Sequence, residues 1–195
     1  MCWRIVRWPV FLMSIFFLCI ILFPCGCRLF SRPADNMNDP FVQEIMKDAA
    51  VKEVRFKGKI WRVCMDNGTK ATVGETMYVD ENEWKQYVKN KATTRLRSLI
   101  VHESVHTSQQ LSTGLTIWMI CYFTSTKFRW EEEKVAYEAG WRVEVIAGEI
   151  YTDGDYESFA NDVSGVMYYG MITHDEAYTF MKNTIAKLQE EYKNK

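Results

Sequence analysis

From Trp8 to Cys27 the chain runs for 20 residues without a charged side chain. As a helix, such a run matches the roughly 30 Å hydrocarbon core of a bilayer. It divides the chain into an apolar amino-terminal segment, residues 1–31, and a polar body. An uncleaved membrane anchor is the leading expectation. A signal peptide is the alternative, although its apolar region is usually only about 7–15 residues long. Cys27 after Gly26 also resembles a lipoprotein processing site, with Pro24 and Cys25 departing from its usual residues. A buried core helix fits poorly, because the run is apolar on every face. Arg4 and Arg7 precede the run and Arg28 and Arg32 follow it, so positive charge does not fix its orientation. The short amino-terminal tail favours export of the body, which makes the expected location membrane-associated and extracytoplasmic.

The body is expected to be one α+β domain spanning residues 41–195, joined to the anchor by a linker at 32–40, "RPADNMNDP". Asp39 before Pro40 marks a helix start. Val51, Val54, Phe56 and then Ile60, Arg62 and Cys64 alternate as strands do, with turn signals at Lys57-Gly58 and Asn67-Gly68. A small antiparallel meander ending in "ETMYV" is the expected sheet. Asp80 with Glu83 reads as a capping box, and a long helix carrying "VHESVHTSQQ" should end at Gly114. "LTIWMICYF" is too short to span a membrane and is expected as a buried core segment. A following helix carries Val135, Ala139, Val143, Ile146 and Ile150 on one stripe and is expected to break at Asp153-Gly154. Thr173 with Glu176 caps a last helix. The formal net charge of −1 gives no electrostatic footprint for nucleic acid. Cys64 and Cys121, the only cysteines of the body, make neither a disulfide framework nor a cysteine zinc site.

Two of the chain's three histidines, His102 and His106, stand four residues apart, so on a helix both imidazoles leave one face a turn apart. That spacing lets both reach one tetrahedral zinc ion, and Glu103 lies beside them as a general base. Histidine pairs also cap, pack or face solvent without metal. At ordinary residue frequencies, however, the five-residue pattern arises by chance in about one chain in two hundred of this length. A third ligand is needed. His174 and the acidic helix supply the choices, among them Glu131, Glu132, Glu133 and Glu138. Around Glu133 the same helical face shows Ala136 and Gly140, small residues that permit close approach to the zinc helix. At about 100° per residue, Glu132 and Glu138 point about 100° and 140° away from that face. Glu133 is the expected ligand. Tyr137, Tyr168, Tyr169 and His174 stand as unresolved choices for an oxyanion donor.

"HESVHTSQQ", followed 27 residues after His106 by Glu133 in "EKVAYEAG", resembles the gluzincin division of zinc metallopeptidases. The resemblance is strongest to small single-domain zincins of the minigluzincin type and to related bacterial and phage-encoded domains. It covers roughly residues 70–140, with "GETMYV" as the strand, Gln109 extending the first motif and Glu133 with Ala136 forming the second. It implies a zincin-like fold, Zn²⁺ held by His102, His106 and Glu133, and Glu103 acting as general base and acid on a polypeptide substrate. Val135 and Tyr137 replace acidic residues that many relatives carry around the second motif. Two other functions compete: a zincin scaffold kept as a binding or assembly module, and a membrane protein whose helical histidines bind no metal.

Overall fold

In the computed structural model, residues 31–58, 70–165 and 170–193 are described. Their architecture is α+β, with seven helices and a mixed four-stranded sheet. The strands are β1 (Ser31–Pro33), β2 (Glu53–Lys57), β3 (Ala71–Val73) and β4 (Thr76–Val79), in the order β1-β2-β4-β3. The helices are α1 (Pro40–Met46), α2 (Glu81–Lys89), α3 (Thr93–Thr113), α4 (Leu115–Thr124), α5 (Thr126–Ile146), α6 (Asp153–Ser164) and α7 (His174–Lys193).

The sheet corrects the expected antiparallel meander. β1 and β3 each pair antiparallel with a neighbour, but the two central strands β2 and β4 run parallel, Glu53 opposite Thr76 and Phe56 opposite Val79. All four residues of β4 are buried. A strand covered on both faces belongs at the centre, beside a partner reached by a crossover rather than a tight turn. The tight turn joins β3 to β4, where Gly74 (φ 59°) takes the first place of a two-residue loop. The expected strand at Ile60, Arg62 and Cys64 and the Asn67-Gly68 turn lie outside the described residues. Ser31–Pro33, partly inside the expected linker, pairs with β2, and the Ala34 amide continues the contact to the Val54 carbonyl at 3.0 Å.

Helix boundaries follow local chemistry. Asp39 caps α1 through the Phe41 amide, and Asp80 caps α2 through those of Asn82 and Glu83. The Glu83 carboxylate does not close the box; it accepts from Tyr87 and pairs with Lys70. Thr173 and Glu176 do form a reciprocal box before α7. α5 ends earlier than expected. Gly148, at φ 83°, stops it, while Asp153 and Gly154 open α6 behind a Thr152–Asp155 capping box.

One apolar core lies between the sheet and α1–α3, around Val54, Phe56, Met77, Trp84, Leu96 and Ile100. A second joins Trp141 and Val145 of α5 to Met181, Ile185 and Leu188 of α7. α4 is not wholly buried as expected. Trp118 and Met119 pack inward, whereas Ile117 and Ile120 face outward, because a ten-residue surface helix has only one packed side. α5 likewise turns the expected stripe outward, with Val135 and Ile146 exposed, and Ile150 lies exposed beyond its end. It buries Glu133, Ala136, Gly140 and Trp141 instead. No described helix is long and apolar enough to cross a membrane, and the apolar run 8–27 lies outside the described residues.

The reason for this choice of face is the α3–α5 contact. A Cβ placed on Gly140 would stand 3.1 Å from Ser98 Oγ and 3.3 Å from the Ser98 carbonyl oxygen, with His102 Cβ at 3.7 Å. Ala136 beside it is fully buried. Gly140→Val should therefore force the helices apart and cost about 3 kcal/mol. Urea unfolding of the metal-free protein checks this, and an unchanged midpoint would contradict so close an approach.

Candidate metal centre

α3 is a long helix whose Leu96 and Ile100 are fixed in the sheet core, which sets its rotation and sends His102 and His106 toward α5. Their Nε2 atoms stand 3.2 Å apart. From α5, Glu133 brings Oε2 to 3.5 Å from His102 Nε2 and Oε1 to 3.5 Å from His106 Nε2. Donors about 2.0–2.1 Å from a tetrahedral ion lie about 3.3 Å from each other. The three observed separations are close to that value. One ligand atom from each residue lies within 4.8 Å of the others, so the group could hold a metal ion. Glu133 Oε2 is buried and has no hydrogen-bond partner among the described residues. An orphaned buried carboxylate oxygen is costly in a purely structural setting and is what a cation would satisfy.

Outer partners orient each donor. His106 Nδ1 lies 2.8 Å from Gln109 Oε1, so the ring N–H there donates and Nε2 is the nitrogen turned toward Glu133. Gln109 then donates to the Glu132 carbonyl at 3.0 Å, tying α3 to α5. His102 packs edge-on against Tyr137, ring centroids 4.8 Å apart. The Tyr122 hydroxyl donates to Glu133 Oε1. Arg129, itself buried, donates to the Tyr122 carbonyl at 2.8 Å and fixes the end of α4. Comparison with family models, with curated proteins and with solved structures returns no match to this chain. The reading of the centre therefore rests on its own geometry.

The remaining acidic residues of α5 are engaged elsewhere. Glu131 pairs with Lys134, the Glu132 carboxylate accepts from Trp118 Nε1 at 2.8 Å, and Glu138 bridges Arg142 and Lys187. His174, at the start of α7, pairs with Glu157 and Asp175. Tyr168 and Tyr169 lie outside the described residues. Cys121 is a free, half-buried thiol of α4. Glu103 is buried next to the histidines, and its Oε2 accepts a hydrogen bond from the Thr72 hydroxyl of β3. Neither Tyr122 nor Thr72 was marked by spacing or motif. Each reaches the centre from a separate element, and only the packing of α4 and β3 on α3 brings them there.

Electrostatics couples the three donors. Burial opposes an imidazolium at His106, but the Glu133 carboxylate outweighs it and pushes His106 up to about 9. Burial likewise opposes the Glu133 carboxylate, yet His106, His102 and the Tyr122 hydrogen bond bring it down to about 2. Burial, then repulsion from His106, holds His102 below its ordinary value. The metal-free centre thus stores one proton on His106 beside an ionised Glu133.

Two outcomes follow for measurement. The His106 contribution to stability is complete below about pH 6.5 and lost as pH rises through about 9. That of Glu133 is complete above about pH 4.5 and lost as pH falls through about 2. The melting temperature of chelator-treated protein should accordingly fall between pH 6.5 and 9. Cation uptake must displace the His106 proton, so affinity should rise about tenfold per pH unit over that range in competition with a chromophoric chelator. A flat profile would remove the proton from His106.

Proposed function

We propose that the chain is a membrane-tethered zinc metallopeptidase of zincin-like, gluzincin-type construction, cleaving polypeptide outside the cytoplasm. The observation that carries this reading is the convergence of His102, His106 and Glu133 at tetrahedral donor spacing around an orphaned carboxylate oxygen, with Glu103 adjacent. Two imidazoles and one carboxylate are a donor set that suits Zn²⁺ and leaves a fourth position open, as hydrolytic zinc sites do. His102, His106 and Glu133 would hold the ion.

Zinc held there would supply Lewis acidity, to acidify the attacking water and polarise a carbonyl. The chain's own residues supply the proton traffic. Glu103 takes a proton from the attacking water through its carboxylate and returns it to the departing amine, so the amide C–N bond breaks as a C–O bond forms. Gln109 keeps the His106 imidazole aimed, Tyr137 packs against that of His102, and Tyr122 keeps Glu133 in place. The uncharged run 8–27 supports the tether and location, and the lack of a basic surplus supports a polypeptide rather than a nucleic-acid partner.

The full-length protein should carry about one zinc ion per chain. His102→Ala, His106→Ala and Glu133→Ala should each lower affinity at least a hundredfold. Glu132→Ala and Glu138→Ala should stay within a few-fold of wild type, since their carboxylates point to Trp118 and to Arg142 and Lys187. Elemental analysis after dialysis reads this directly. Glu103→Gln should retain zinc and fold while hydrolysis of an unfolded protein substrate drops by about a thousandfold. Equal turnover by Glu103→Gln and wild type would sink the mechanism.

A further inference from the structure

α3 presents two neighbouring faces with different work. His102, His106 and Gln109 look toward α5. One residue further round, Glu103, Thr107 and Gln110 look toward the β3–β4 hairpin. We propose that this hairpin is the device that aims the base, with Thr72 as the positioning residue for Glu103 and Gln110 as the clamp that holds Thr72. The proposal rests on the peptidase reading above.

A glutamate has three rotatable side-chain bonds, and a general base acts only within hydrogen-bond reach of the proton it takes. Thr72 removes that freedom. Its hydroxyl donates to Glu103 Oε2, and among the described residues Oε1 has no hydrogen-bond partner, so Oε1 is the oxygen left for water. Thr72 is itself immobilised. Gln110, almost wholly buried, donates from Nε2 to the Thr72 carbonyl at 2.8 Å and accepts at Oε1 from the Gly74 amide at 2.7 Å. The Thr107 hydroxyl donates to the Gly74 carbonyl at 3.0 Å. Both ends of one amide and a threonine thus secure the turn of the hairpin, and the Thr72 side chain stands where that turn puts it. Only the turn's positive-φ Gly74 lets these backbone groups face α3 together.

The test compares Thr72→Val, which keeps shape and loses the hydroxyl, with Thr72→Ser, which keeps the hydroxyl. In the zinc-loaded full-length protein, Thr72→Val should lower kcat about thirtyfold with KM and zinc content unchanged, the scale expected when a reacting group is misplaced by about 1 Å. Thr72→Ser should stay within about threefold of wild type. A second readout needs no turnover: Thr72→Val should lower the melting temperature in wild type and not in a Glu103→Ala background. Equal melting losses in both backgrounds would overturn the proposal, as would full kcat in Thr72→Val. Coupling in the melting cycle without hydrolysis by wild type would overturn the peptidase reading and the positioning role with it. Hydrolysis that survives Thr72→Val overturns the positioning role alone.

Discussion

The close approach of α5 to α3 at Ser98, Ala136 and Gly140 is the constraint on which the rest of the structure depends. A Cβ at Gly140 would stand 3.1 Å from Ser98 Oγ, tighter than ordinary contact, and Ala136 one turn earlier is fully buried. With the helices at that separation, a carboxylate one turn before Ala136 reaches both imidazoles. With any larger side chain at the contact, the same carboxylate would be withdrawn from them, since packed interiors have no slack to absorb the difference. The stripe of Val135, Val143 and Ile146 would have buried more apolar area. It lines an open groove completed by residues of α1 and α3 instead, while the face carrying Glu133 makes the close contact.

From that contact the division of α3 follows. A helix advances about 100° per residue, so consecutive residues lie on adjacent faces. His102 and Glu103 are consecutive and are served by different elements, α5 on one side and the β3–β4 hairpin on the other. The two side chains can then be oriented independently within a few ångströms. Each face carries its own glutamine: Gln109 bridges His106 to α5, and Gln110 locks the hairpin. A change to one partner element need not disturb the other's residue.

What the sequence makes legible is what lies within one helix. The His102–Glu103–His106 spacing, the caps at Asp39, Asp80 and Thr173, and the end of α3 at Gly114 depend on residues a few positions apart. The choice of Glu133 also came from periodicity, through the small residues that follow it. What stayed hidden depends on other elements. The parallel pairing of β2 with β4 is fixed by a crossover, not by any turn signal. The outward turn of Val135 and Ile146 reflects the small-residue face of Ala136 and Gly140 taking the contact with α3. Tyr122 and Thr72 reach the centre from 11 and 31 positions away. No local pattern encodes such distances.

The metal-free energetics point the same way as the geometry. A buried carboxylate beside a buried imidazolium loses solvation that their mutual attraction recovers only when every remaining lone pair is satisfied. Here Glu133 Oε2 is left unsatisfied, and His102 is held below its ordinary value between a like charge and an apolar surround. A divalent cation in place of the His106 proton would change that balance, because it would satisfy the orphaned oxygen and both imidazoles together. Donors already near tetrahedral spacing, with His106 held by Gln109 and Glu133 by Tyr122, would need little rearrangement to hold such an ion.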